Sequence, residues 1–300
     1  MMKTMKMQFK YLCVAALALV GAITTGCSND EPDLDVAMPP AASDSVSLNT
    51  PLTLEAREAG AKVTFTFSDR KASGVVEYST DGTSWSTYIG GTTITLNSVG
   101  DKVMFRGNCA KYDMSNISCD KDCYVYGNVM SLISPTDFAT ATELTESYTF
   151  RDLFKENKHI VNHDSKPLLL PATTLTIGCY AYMFEGCTNL ETAPALPATT
   201  LADMCYQSMF GGCNKLTTAP DLPATKLASY CYESMFQDCS SLSSVTCLAT
   251  DITDKSCLLY WLEWAGSTVF DEKTLHIRSG QSTNKSYWNV PDDWTVVDDQ

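Results

Sequence analysis

The chain has 300 residues, with 21 Lys and Arg against 35 Asp and Glu and a net charge of −14. Such an acidic field repels phosphate, which disfavours nucleic acid and anionic membrane surfaces as partners. Hydrophobic residues make up 44% of it, enough to bury a sizeable core.

At the amino terminus Lys3, Lys6 and Lys10 precede an apolar run from Tyr11 to Ile23, too short to span a bilayer and followed by small residues. Residues 1–26 therefore read as a signal peptide. Thr24-Thr25-Gly26-Cys27 resembles the lipobox of bacterial lipoproteins. That resemblance implies that Cys27 is lipidated and anchors the mature chain at the outer membrane, its only membrane contact. Several acyl chains on one residue hold more firmly than a single myristoyl. The acidic run Ser28-Asn29-Asp30-Glu31, with Asp33 and Asp35, is similar to the surface-export tag of Bacteroidetes lipoproteins. A solvated tether is the other reading, and both can hold. Removing residues 1–26 takes three lysines and no acids, leaving 18 basic against 35 acidic side chains, a net of −17. Residues 27–46, rich in Pro, Ala, Ser and Asp, have little to bury and read as a disordered acidic linker.

Residues 47–134 change texture. Val63 to Phe67, Val75 to Tyr78, Thr93 to Leu96 and Val103 to Phe105 alternate as short strands, and Asp81-Gly82 marks a hairpin turn. They predict an all-β, sandwich-like domain. Cys109, Cys119 and Cys123 permit at most one bridge, with the pair undecided.

Residues 135–277 hold three near-copies of one 26-residue phrase, starting at Leu170, Leu196 and Leu222. A degenerate copy precedes them around Leu153-Phe154. Another follows at Cys247 to Ile252, one residue short, with Cys257 and Trp261 in the Cys and Met columns. A period of this length signals a stacked array of about five coils, roughly 25 Å long at the strand spacing. Leu201, Cys205, Met209 and Cys213, at intervals of four, predict a short helix in each coil, capped by Thr199 or Thr200 and ended by Gly211-Gly212. Pro194 and Pro220 end the extended segments at Ala193 and Ala219. Residues 278–300 complete the chain as a C-terminal cap.

The Cys179, Cys205, Cys231, Cys257 column and the Cys187, Cys213, Cys239 column read as small hydrophobes of a narrow core rather than disulfides or metal ligands. Tyr180, Tyr206 and Tyr232 form a column that serves either as half-buried packing or as exposed contact. Ala181, Gln207 and Glu233, with Asn189, Lys215 and Ser241, vary between coils and are expected to face outward.

The phrase CYxxMFxGCxxLxxAPxLPATxL, over about residues 150–277, resembles the BspA-like leucine-rich repeats. The resemblance implies a short α/β leucine-rich-repeat solenoid and a cell-surface role in binding matrix proteins or other bacteria.

Catalysis is not expected. His159 and His163 stand four apart but lack a HExxH glutamate and a third ligand, and His276 is remote from them in sequence. No GxSxG, P-loop or dinucleotide fingerprint occurs. No catalytic residue, metal ligand or cofactor is assigned, and ligand-binding residues stay unassigned. The expected function is adhesion to an extracellular or host protein. Glycan capture in polysaccharide uptake is the alternative and needs exposed aromatics, Trp85 or Trp264. A structural envelope component is the third reading.

Overall fold

The computed structural model describes residues 47–254 and 256–299, which belong to one compact unit. The leader, the linker and Cys27 lie outside the described residues. Two antiparallel sheets open the chain. In order come β1 (Leu52–Ala56), β2 (Ala61–Thr66), β3 (Val76–Ser79), β4 (Ser86–Thr87), β5 (Thr93–Leu96), β6 (Lys102–Gly107), β7 (Asn116–Cys119) and β8 (Cys123–Asn128). One sheet runs β4-β3-β6-β1-β8; the other is β5-β2-β7. Strand β2 shows why they pack together. Ala61, Val63 and Phe65 are fully buried while Lys62 and Thr66 face solvent, the period of two that puts one face in a core. Phe65 meets Phe105 of the other sheet edge to face at 5.6 Å. The β3–β4 hairpin closes on Asp81, whose carboxylate accepts the Ser84 and Thr83 N–H groups at 2.7 Å, while Gly82 takes the left-handed φ of 77°. Those two N–H groups hold the Asp81 carboxyl well below the usual range.

The three copies stack in register, but the expected α/β leucine-rich-repeat solenoid is not seen: the fold is nearly all β, in several sheets, with no solenoid closure. Among the described residues no helix forms in the repeats. The only α-helix among the described residues is α1 (Lys285–Trp288) in the cap. The reason lies in the spacing. A helix advances roughly 100° per residue, so a stripe repeating strictly every four residues drifts by about 40° at each step. From Leu201 to Cys213 the drift reaches about 120°, too much for one face.

The chain instead makes overlapping turns. Cys205, Gln207, Met209, Gly211 and Cys213 donate N–H to the carbonyl three residues back. The N–H groups between them point out of the layer: Tyr206 bonds Cys231 O, Ser208 bonds Glu233 O and Phe210 bonds Met235 O, at 2.8–3.1 Å. Every fourth residue is left-handed, as at Met204 (57°), Ser208 (48°) and Gly212 (71°). Segments 148–157, 178–187, 204–213 and 230–239 repeat this geometry, and 257–266 ends it.

The extended part of each repeat is reduced by its prolines. Thr192, Thr218 and Ser244 pair by single parallel bridges, and Pro194 and Pro220, which offer no N–H, leave no strand at the first two positions. Thr246 stands 26 residues after Pro220, and there β11 (Ser244–Cys247) forms and pairs in parallel with β12 (Lys273–Arg278), which in turn pairs in parallel with β13 (Trp294–Asp299). The missing residue shows in the register: Thr200 pairs Lys226, but Lys226 pairs Asp251.

One core runs through both halves. Rings stack from Phe65 to Tyr112 (5.5 Å), Phe150 (6.3 Å), Tyr180 (5.8 Å), Tyr206 (5.9 Å) and Tyr232 (6.1 Å). A second column joins Phe154, Phe184, Phe210 and Phe236 at 5.5–5.8 Å. The loop before β7 and the start of β7 seat the first layer: Tyr112, Met114 and Ile117 donate N–H to Thr149, Arg151 and Leu153 O, and the Asn116 amide bonds Asp152 and Lys155 O. Strands β9 (Ile160–Val161) and β10 (Leu168–Leu169) extend the first sheet by parallel pairing with β8. At the far end Trp261, Trp288 and Trp294 are fully buried, tied by Trp261 Nε1 to Trp288 O (2.9 Å) and Trp294 Nε1 to Ala265 O (3.2 Å).

Candidate binding surfaces

The sulfur columns are interior. All eleven described cysteines are buried, Cys109, Cys119 and Cys123 included, and none of them forms a disulfide. The second column has a further role: Cys187, Cys213 and Cys239 donate S–H to the carbonyls of Phe154, Phe184 and Phe210 in the layer before, at 3.0–3.1 Å. Burial pushes the Cys179 and Cys247 thiols up to about 12 and the Cys213 thiol well above its ordinary value. Because the thiolate is the nucleophile, these sulfurs are inert in the native state. A colorimetric thiol reagent at pH 8 is expected to label none of the eleven until urea is added. Stoichiometric labelling of any of them in the folded protein overturns this reading.

The Tyr180, Tyr206 and Tyr232 column is fully buried and is packing, not contact surface. The histidines are not brought together on a metal. His159 Nδ1 lies 3.1 Å from Asp122, while His163 packs on Tyr124 and Tyr126 and its Nδ1 accepts the Ser165 N–H. Among the described residues no group of His, Cys, Asp and Glu is placed to hold a metal. Trp85 is half-buried with the Arg106 guanidinium 4.1 Å over its ring, so that face is occupied. Trp264 is 65% exposed.

Of the positions expected to face outward, Ala181 is buried: it follows the Tyr180 ring inward and leaves no side chain to display. Gln207, Glu233, Asn189, Lys215 and Ser241 do reach the surface. Gln207 and Glu233 belong to a polar face laid across the stacked turns. The Gln207 amide donates to Glu233 at 2.5 Å, the Gln237 amide to Glu263 at 2.9 Å, and Lys155 pairs Glu185 at 2.5 Å. Each of these links bridges two layers. Gly211-Gly212 leaves a shallow trough of about 160 Å³ between Glu185, Ser208, Ser234 and Gln237. On this face burial raises the Asp152 carboxyl above the usual range, despite Lys155 and Arg151 beside it.

Comparison with known proteins returned no matching family model, curated protein or solved structure.

Proposed function

We propose that the protein is a non-catalytic recognition protein, displayed at the cell surface by a lipid on Cys27, which binds an extracellular protein through the polar face of its stacked turns. The observation that carries this reading is the cross-layer ladder Lys155–Glu185, Gln207–Glu233 and Gln237–Glu263. A backbone fixed by hydrogen bonds to both neighbouring layers presents side chains that differ from layer to layer, the property an extended recognition surface needs. Glu156, Glu185, Glu233, Asp238 and Glu263 give the face an acidic cast, which suits a partner with a basic, amide-rich surface. Surface display rests on the leader pattern in residues 1–27 and on the likeness of the repeated phrase to BspA-like repeats.

The detergent-solubilised full chain, immobilised and exposed to purified matrix proteins, mucins and polysaccharides, tests it. Saturable binding of a protein is expected, lost in the double variant Glu233→Lys, Gln237→Lys. Protein binding that survives this variant moves the site elsewhere, and silence toward every protein in the panel sinks the reading.

A further inference from the structure

The stack ends on an edge of one polarity. In each layer the forward-pointing N–H groups bond the next layer: Tyr232 to Cys257 O, Ser234 to Leu259 O, Phe236 to Trp261 O and Asp238 to Glu263 O, at 2.9–3.0 Å. The corresponding groups of the last layer include those of Tyr260 and Trp264. Among the described residues no acceptor stands opposite either N–H. The other end differs, since the loop carrying Tyr112, Met114, Asn116 and Ile117 supplies donors to the carbonyls of the first layer. The cap does not complete the far edge in the same way. Asn289, Trp261 and Trp294 make their bonds between the cap and the last layer to carbonyls, of Leu258, Trp288 and Ala265.

A cleft of about 600 Å³ opens beside this edge, lined by Tyr260, Glu263, Trp264, Asn289 and Asp293. Tyr260 is 50% and Trp264 65% exposed. Trp264 is held at a φ of 61°, the left-handed position that earlier layers fill with Glu156, Gly186, Gly212 and Asp238.

Three ligand chemistries fit poorly. An extended peptide added to an edge turns N–H and C=O alternately toward it, and this edge answers only the carbonyls. An anion meets the carboxylates of Glu263 and Asp293 on a chain of net charge −14. A cation meets backbone donors. A sugar hydroxyl both donates and accepts, and the ring carries an apolar face. We propose that the cleft binds a neutral saccharide, stacked on Trp264 and Tyr260. Its oxygens accept from the Tyr260 and Trp264 N–H groups, and its hydroxyl hydrogens are donated to Glu263 and Asp293. Each carboxylate keeps acceptor capacity beside its present partner, Gln237 or Lys273. This site adjoins the polar face proposed for protein recognition and shares Glu263 with it, but does not depend on that reading.

The test is calorimetry and tryptophan fluorescence of the detergent-solubilised full chain with neutral gluco- and manno-hexasaccharides and a hexagalacturonate. Binding of at least one neutral hexasaccharide is expected, with none of the acidic one. Trp264→Gly should weaken it by roughly tenfold or more through the lost aromatic face. The same variant should melt no lower than the native chain, because glycine is unstrained at this φ. Trp85→Phe, at the ring Arg106 already covers, should leave affinity unchanged. No binding of any neutral hexasaccharide overturns the proposal, as does binding that Trp264→Gly leaves intact.

Discussion

Phe210→Ala is expected to lower the unfolding free energy by about 3–5 kcal/mol, the upper range for a buried aromatic truncation. The cost of such a change depends on how far the surroundings collapse into the cavity. Here they are held apart. Phe210 lies 5.5 Å from Phe184 and 5.8 Å from Phe236, nearly parallel to both, and its own N–H bonds Met235 O at 3.0 Å. The backbone ladder sets the layer spacing, so neighbouring rings cannot move in without breaking cross-layer hydrogen bonds. Phe210→Leu should cost far less, because Leu262 occupies the equivalent position of the last layer and is fully buried there. Urea unfolding followed by tryptophan fluorescence reads both, as a midpoint shift at constant slope. Equal losses in the two variants would show that the column does not resist collapse.

The interior of the repeats was legible because its columns obey one period: Cys205, Met209, Phe210 and Cys213 are all fully buried. The turn geometry was not. A spacing of four is close enough to 3.6 to mimic a helix over two steps, and only the third exposes the drift. Left-handed positions carry Met204, Ser208, Tyr182 and Tyr230 as well as glycines, so no consistent glycine signal marked them. What stabilises Met204, Ser208 and Tyr182 is a bond to a carbonyl 25 positions on, a tertiary contact that local propensity does not encode. In the first half, alternation revealed Val63 to Phe67 as a strand but not its neighbours, since Phe65 pairs with Ile117 at long range. Trp264 stood out in the sequence as an aromatic that glycan capture would need. The donor-only edge beside it is a backbone property, which side-chain identity cannot show.

Phe150→Asp is expected to unfold both halves of the described chain together at pH 7. Phe150 is fully buried between Tyr112 of the loop before β7 and Tyr180 of the next layer, so it sits at the joint of the continuous core. An unpaired carboxylate there costs several kcal/mol, against about 5–15 kcal/mol of stability for a typical domain. The pH dependence has a definite sign. Burial disfavours the charged form and raises the folded-state pKa above the unfolded value of about 3.9. The folded variant then binds more protons than the unfolded chain, and its deficit grows as pH rises through that window. Its melting temperature, measured relative to the native chain, should therefore fall further at pH 7 than at pH 4. Phe150→Tyr, which repeats the residue at Tyr180 and Tyr206, serves as the tolerated control. Trp85 reports the sheets, whereas Trp261, Trp264, Trp288 and Trp294 report the far end, so removing one set by Phe substitution lets each half be followed separately. Coincident transitions are required of a single core that runs from Phe65 to Tyr232. A β half that melts independently of the stacked turns would break that continuity, and with it the rigid frame on which the polar face and the terminal cleft both depend.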